Sequence, residues 1–193
     1  TTNYNITYVP GTLKVTANST AIVVKAADAS RPYDGNPLAK AEASVVSGTL
    51  ADGDYIDEVV MTAESTITDA GTQPNVIESF KVFNAAGEDV TALYSNITTQ
   101  QGTLEVSKLD VTVTAESKSK QYGEDNPELT YAESGFANGE TLESLGIAPE
   151  LSTTAEKMSA PGDYPITFPE GATASTTNYN ITYVPGTLKV TAN

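Results

Sequence analysis

Residues 176–193 read TTNYNITYVPGTLKVTAN, and residues 1–18 read the same eighteen letters. The two copies therefore begin 175 residues apart. That spacing exceeds the length of one solenoid repeat, about 20–50 residues, and it suits two domains of small size. The sequence predicts a segment of a tandem array whose repeat unit is itself double.

A weaker internal similarity divides this repeat unit in two. The segment 33–38, Tyr-Asp-Gly-Asn-Pro-Leu, resembles Tyr-Gly-Glu-Asp-Asn-Pro with a following leucine at 122–129. Asn-Ile-Thr, three residues and Gly-Thr-Leu occur at 96–104 and again at 180–188. We predict three segments: the C-terminal strand of a preceding B-type module at 1–18, module A at 19–108 and module B at 109–193.

The first copy of the string carries one strand pattern. Leu13 and Val15 alternate with polar neighbours over residues 11–16, as in a half-buried strand. Separated from the rest of its module, such a strand has no sheet to complete, and an unpaired strand edge is a template for pairing. We expect residues 1–18 to be mobile in solution or to dock on a neighbour.

The amino-acid composition argues against several classes of function. The chain has no cysteine and no histidine, so the usual zinc ligands, thiol nucleophiles and histidine bases are absent, and we predict that it is not an enzyme. A net charge of −15 would repel phosphate backbones and anionic headgroups, which argues against nucleic-acid and membrane-surface partners. No apolar run has the length of a membrane span, so we expect no membrane insertion by this segment.

The periodicity predicts a mostly β (α+β) fold. Leu109, Val111 and Val113 alternate with polar residues, the clearest strand pattern in the chain. Residues 138–146 predict one short helix, with a cap at Asn138 and a terminal glycine at Gly146. Strands followed by a short helix and further strands give two small β-grasp-like modules in tandem, each a twisted sheet with at most one short helix.

The link between the modules contains no glycine or proline. Residues 108–110 are Lys-Leu-Asp, so strands should run almost directly from module A into module B. This predicts a fairly stiff rod, in which neighbouring repeats of the same chain are the first partners.

The motifs of module B resemble the MBG domain of the YGX type. They include Gln-Tyr-Gly at 121–123, Asn-Pro-Glu-Leu-Thr-Tyr at 126–131, Pro-Gly-Asp-Tyr at 161–164 and Asn-Tyr-Asn-Ile at 178–181. Module A is similar to the partner repeat that alternates with this domain in bacterial surface proteins. The resemblance implies an extracellular repeat of a bacterial cell-surface adhesin, anchored to the cell wall or outer membrane through other parts of the parent protein.

For function, the resemblance implies a stalk that projects a distal binding domain and contributes to host attachment. The alternative is a module that itself binds mucin or matrix glycans. The family supplies no catalytic residues to transfer. The ten tyrosines invite the glycan interpretation, because flat rings stack on sugars. Against it, the chain has no tryptophan, and packing is the ordinary role in the strand patterns that contain Tyr8, Tyr131, Tyr164 and Tyr183.

The sequence contains two further candidate sites. The carboxylates of one loop, Asp52, Asp54, Asp57 and Glu58, could supply oxygen ligands to calcium, although they lack the EF-hand pattern and a solvated acidic loop is the alternative. No other cofactor is predicted. Lys81 lies between apolar residues and could form a Lys–Asn isopeptide crosslink, or it could point outward by strand alternation.

Overall fold

The computed structural model describes residues 2–169 and 176–193. Their secondary structure is almost entirely β, with one three-residue 3-10 turn at Thr91–Leu93, so the predicted mostly β class is confirmed. Contacts divide the described chain into two compact units. Unit 1 lies within Thr1–Ala27, Ala41–Ala63 and Asn75–Gly102, and unit 2 within Asp28–Lys40, Glu64–Pro74 and Thr103–Asn193.

Fifteen strands are formed by the described residues. They are β1 Ile22–Ala26, β2 Ala29–Pro32, β3 Ala43–Ser47, β4 Tyr55–Met61, β5 Gly71–Asn75, β6 Ile77–Phe83, β7 Ile97–Gln100, β8 Gly102–Ser107, β9 Leu109–Ala115, β10 Lys118–Gln121, β11 Tyr131–Ser134, β12 Ser152–Thr153, β13 Gly162–Thr167, β14 Tyr179–Val184 and β15 Gly186–Thr191.

Unit 1 is built on a three-stranded sheet of order β3-β1-β7 and a β4-β6 hairpin. In β1 the side chains of Ile22, Val24 and Ala26 point to one face and are buried, because β-strand side chains alternate between the two faces. They form one apolar cluster with Ile77. Burial of each of these larger side chains contributes about 1.5–3 kcal/mol.

Unit 2 contains the sheets β2-β8-β5, β11-β9-β14 and β10-β15-β13-β12. Its largest core cluster includes side chains from both sides of position 108. Val106 in β8 is packed in the same cluster as Val111 and Val113 in β9, and only Lys108 lies between those two strands. The remaining buried members of this cluster are Tyr33, Leu142 and Tyr179.

One pattern of strand pairing occurs twice along the chain. An early strand lies between an antiparallel neighbour and a parallel late strand, in the orders β3-β1-β7 and β11-β9-β14. The strands that follow, β2 with β8 and β10 with β15, are again parallel. Parallel strands need a long crossover connection, so residues far apart in sequence must meet before either sheet can form.

The prediction of a helix at residues 138–146 is wrong. The segment forms turns, and Asn138 and Gly139 have φ values of 57° and 67°, whereas an N-cap residue is extended. The Ser144 hydroxyl accepts the Thr141 N–H, and the Thr141 hydroxyl accepts the Ser144 N–H, so side chains take the bonds of a first helical turn. Leu142 is nevertheless fully buried, so the turn covers the sheet where a helix was expected.

The strand predicted at residues 11–16 is also absent, because the structure forms no strand over residues 2–17. Leu13 and Val15 are 91% and 89% exposed, whereas the identical residues Leu188 and Val190 in β15 are 0% and 2% exposed. The same letters therefore form a strand only where β10 and β13 flank them. The module boundaries concern the sequence repeat and stay a prediction.

A substitution at Gly186 tests how closely the start of β15 must approach the end of β9. A Cβ there would lie 2.5 Å from the Ala115 carbonyl oxygen, while a Cβ at Gly11, in the same local sequence, would meet nothing within 4 Å. Gly186→Ala is expected to lower the free energy of unfolding by about 1–3 kcal/mol through forced backbone shifts. Urea unfolding measures this. Gly11→Ala is the matched control, and equal effects of the two substitutions would contradict the argument.

Candidate functional site

In unit 2 the carboxylate of Glu140 accepts hydrogen bonds from two tyrosines. The Tyr33 hydroxyl donates to Oε1 at 2.8 Å, and the Tyr179 hydroxyl donates to Oε2. We call this group the Tyr33–Glu140–Tyr179 centre. Because Tyr33 precedes position 108 and the other two residues follow it, the centre joins sequence modules A and B within one compact unit.

Local structure positions each member of the centre. The backbone N–H of Tyr33 donates to the carbonyl oxygen of Ser107 at 2.8 Å, which fixes the residue that follows β2 against the end of β8. Tyr179 opens β14, and its ring meets Tyr33 edge to face with centroids 5.5 Å apart. Phe136 packs on the other side of Tyr179 at 4.8 Å, in a second edge-to-face contact. Such aromatic pairs contribute about 0.5–1.5 kcal/mol beyond burial.

The electrostatics keep both phenols neutral. The hydrogen bond to Glu140, followed by burial, raises the pKa of Tyr33 to about 12. Burial is the main cause that raises the pKa of Tyr179, and the hydrogen bond to Glu140 adds to it. Both hydroxyls are therefore donors at neutral pH, and a carboxylate that accepts from two donors is well satisfied. This arrangement stabilises the contact of the segment around Tyr33 with the segments that contain Glu140 and Tyr179.

A second polar contact lies beside the centre. The Asn178 side chain accepts the backbone N–H of Ala70 at 2.8 Å and donates to the Asp69 carboxylate at 3.1 Å. Asn178 thereby holds residues 69 and 70 in place, with both ends of its amide in use.

A cation organises the turn that follows each of β2 and β10. The Lys120 side chain is buried, and its ammonium donates to the carbonyl oxygens of Glu124 at 3.0 Å and Glu156 at 2.7 Å. Arg31 donates to the Asn36 carbonyl oxygen at 2.5 Å and pairs with Asp34 at 3.2 Å. These cations hold the turns that carry Tyr122 and Tyr33.

The predicted calcium loop has other partners in the structure. Asp54 accepts the Tyr94 hydroxyl at 2.5 Å, and Glu58 forms an ion pair with Lys81 at 2.7 Å. Asp57 accepts the N–H of Glu58, and Asp52 is exposed. Residues 2–169 and 176–193 contain no group of three or more acidic, histidine or cysteine side chains that could hold a metal ion. Calcium binding by this loop stays a prediction.

The other sequence candidates also have defined surroundings. The Lys81 side chain is 48% exposed beside Glu58, so the outward orientation is the one observed. Two open grooves of about 710 Å³ and 400 Å³ lie beside the paired strands β10-β15 and β2-β8. Neither is lined by a tyrosine. Among the tyrosines outside residues 2–17, Tyr55 and Tyr122 are the most exposed, at 45% and 38%.

Sequence analysis missed Glu140, Asn178 and Lys120. One signal was available for Glu140, because Ala-Asn-Gly-Glu at 137–140 parallels Ala-Asp-Gly-Asp at 51–54. Asn178 and Lys120 offer no such signal, because Asn178 contacts residues 69 and 70 far away in sequence and Lys120 donates to backbone carbonyl oxygens, which every residue carries.

Comparison with protein families finds one match. Residues 111–189 match the family model of the MBG domain (YGX type), which confirms the predicted resemblance for module B. The match supports an MBG-type repeat over these residues, and domains of this family occur in surface proteins. Searches of curated proteins and of solved structures return no match. No helix among the described residues has the length and hydropathy to cross a membrane.

Removing one donor tests the centre. Tyr33→Phe keeps the ring contacts and deletes the hydroxyl, so the free energy of unfolding should fall by about 1–3 kcal/mol, the value of a buried hydrogen bond to a charged group. For a chain of this length that corresponds to a fall in Tm of roughly 2–12 °C. Tyr122→Phe, at an exposed tyrosine, is the control. A Tyr33→Phe variant as stable as the control would contradict the assignment.

The same centre predicts a loss of stability at high pH. The ordinary tyrosine pKa is 10.0 and that of folded Tyr33 is about 12, so the fold favours the neutral phenol. Its contribution is complete below pH 10 and is lost as the pH rises through 12. Urea midpoints measured across this range should fall, and they should fall less in Tyr33→Phe. A wild-type midpoint that stays constant up to pH 12 would contradict this prediction.

Proposed function

We propose that this chain is a repeat segment of a bacterial surface adhesin, where it acts as a stiff stalk that projects a distal binding domain and contributes to host attachment. The MBG-type match supports a surface-protein repeat. The identical strings at 1–18 and 176–193 support a tandem array. The segment is extracellular in this proposal, and anchoring is the task of other parts of the parent protein.

One observation carries the stalk proposal. The strands β8 and β9 are separated by Lys108 alone, and the residues on either side share one buried core. A flexible stalk needs an exposed linker with few contacts across it, commonly rich in glycine, proline or polar residues. Here a hinge at position 108 would expose Val106 and Val111 and would separate Tyr33 from Glu140. Bending at this junction is therefore costly.

The alternative is that the module binds mucin or matrix glycans directly. Its strongest support is Tyr55, whose exposed ring lies 5.9 Å from that of Phe83 on the β4-β6 hairpin. Against it, the two grooves lack aromatic lining, and Tyr33, Tyr131, Tyr179 and Tyr183 are packed in the core of unit 2. We therefore favour the stalk, whose partners are neighbouring repeats of the same polypeptide.

Calcium and enzymatic activity have less support in this proposal. Three of the four carboxylates in the 52–58 loop are engaged: Asp54 with Tyr94, Glu58 with Lys81 and Asp57 with a backbone N–H. A calcium ion bound by these three would have to displace these contacts. The Tyr33–Glu140–Tyr179 centre holds protonated phenols against a carboxylate that is already paired, which leaves no activated nucleophile there.

Small-angle scattering tests the stalk. Because residues 1–18 and 176–193 are identical, a two-copy chain is made by placing residues 19–193 directly after Asn193. The maximum dimension should grow in proportion to the number of copies, with an unchanged cross-section. Growth closer to the square root of length, as in a flexible chain, would contradict a stiff stalk.

Binding to immobilised mucin and matrix glycoproteins, with and without calcium, tests the alternative. The stalk proposal expects no saturable binding by the folded 193-residue chain. Saturable binding that is abolished in Tyr55→Ala and retained in Tyr122→Ala would instead make the module a ligand-binding unit. A calcium requirement would direct attention to Asp52 and its neighbours.

A further inference from the structure

Unit 1 contains a counterpart of the Tyr33–Glu140–Tyr179 centre. The Tyr94 hydroxyl donates to Asp54 Oδ2 at 2.5 Å and accepts the backbone N–H of Ala51 at 2.9 Å. In unit 2, Tyr179 donates to Glu140 and accepts the N–H of Ala137 at 3.4 Å. The two carboxylates occupy the same place in the parallel sequences at 51–54 and 137–140.

The loops that carry these carboxylates also begin alike. In each loop a glycine with positive φ lies against the backbone at the start of the module's first strand. A Cβ at Gly48 would lie 2.2 Å from the Ala21 carbonyl oxygen, and a Cβ at Gly135 would lie 2.4 Å from that of Asp110. Both sites therefore require glycine, and the two loops leave their strands at matching points.

The two centres differ in one respect. Glu140 accepts two tyrosines, Tyr33 from the preceding segment and Tyr179 from its own module. Over residues 2–169 and 176–193, Tyr94 is the one tyrosine whose hydroxyl reaches Asp54. The half-buried carboxylate of Asp54 therefore has a second oxygen available. In the counterpart Glu140, the second oxygen accepts a hydrogen bond from Tyr33, which belongs to the preceding module.

Tyr122 is the counterpart of Tyr33 in module B. Its backbone N–H donates to the Thr191 carbonyl oxygen at 2.8 Å, just as that of Tyr33 donates to Ser107 at 2.8 Å. Both tyrosines follow a short strand that is parallel to the module's last strand. Tyr33 is 5% exposed because Tyr179 and Glu140 cover it, whereas Tyr122 is 38% exposed.

The repeated string shows where a preceding module B would end. Thr16 and Asn18 correspond to Thr191 and Asn193. Asn18 donates its N–H to the Leu93 carbonyl oxygen at 2.6 Å and accepts the N–H of Ser95 at 2.9 Å, so it is bonded on both sides of Tyr94. Thr16 lies two residues before Asn18 and corresponds to Thr191, whose carbonyl oxygen accepts the N–H of Tyr122. A preceding Tyr122 would therefore arrive next to Tyr94 and Asp54.

We propose that in the array the Tyr122 hydroxyl of one copy donates to the free carboxylate oxygen of Asp54 in the next copy, so that every junction is closed by a tyrosine–carboxylate–tyrosine centre. This inference rests on the stalk proposal and names the contact that joins one copy of the array to the next. The occupant of the Asp54 site is the module B that precedes it in the same polypeptide. Asp54 then serves as a docking residue of the array.

The two-copy chain tests this contact with internal controls. Tyr122→Phe in the first copy removes a junction donor, whereas Tyr122→Phe in the second copy alters a residue with no following module. The first variant should lower Tm by a few degrees, roughly 2–4 °C, and should raise amide exchange around Asp54 and Tyr94 of the second copy. The second variant should leave both measurements unchanged.

A double-mutant cycle then assigns the partner. In the two-copy chain, Tyr122→Phe of the first copy and Asp54→Asn of the second copy should be non-additive, because both remove one interaction. Tyr122→Phe of the first copy should be additive with Asp54→Asn of the first copy, whose carboxylate precedes that junction. Equal effects of Tyr122→Phe in either copy, or additivity of the first pair, would overturn the proposal. Linear growth in scattering together with such a result would reject this contact and leave the stalk standing.

Discussion

The parallel pairing of early and late strands is the constraint on which the rest of the structure depends. β7 must cross back to β1, and β14 to β9, before any core can close, so each fold is completed only by its last segment. Loop-closure entropy opposes such non-local pairing, and the buried side chains that meet across it offset that cost. Directly after β14, Gly186 at the start of β15 lies against the Ala115 backbone at the end of β9 and leaves no space there for a side chain.

That pairing also explains why several polar contacts lie near Lys108, between β8 and β9. The late strand of module A ends at Ser107 and β9 begins at Leu109, so the ends of two sheets lie beside one another in unit 2. Backbone and side-chain polar groups at these ends need partners if they are removed from water. Glu140 and Asn178 supply them, which makes the junction specific as well as apolar.

Much of the fold was predictable from sequence. The alternation in β9 and the repeated Gly-Thr-Leu identified the central strands, and the motif order identified the MBG-type segment at 111–189. The helix at 138–146 was mispredicted because a capping residue followed by acids and spaced leucines also describes a turn that buries Leu142. The left-handed conformations of Asn138 and Gly139 distinguish the two, and Asn-Gly is a local turn signal that favours them. Glu140 was missed because both of its tyrosine partners are far away along the chain.

Sequence alone determined the mostly β class, the identity of the strings at 1–18 and 176–193 and the exclusion of histidine and cysteine chemistry, since these follow from local pattern and composition. Tertiary structure alone decided which of two identical strings becomes a strand. Residues 177–193 are ordered as β14 and β15 because β9, β10 and β13 flank them, while Leu13 and Val15 in residues 2–17 remain exposed. The physical reason is that a β-strand satisfies its backbone hydrogen bonds only through a neighbour, so identical residues differ in structure when their neighbours differ.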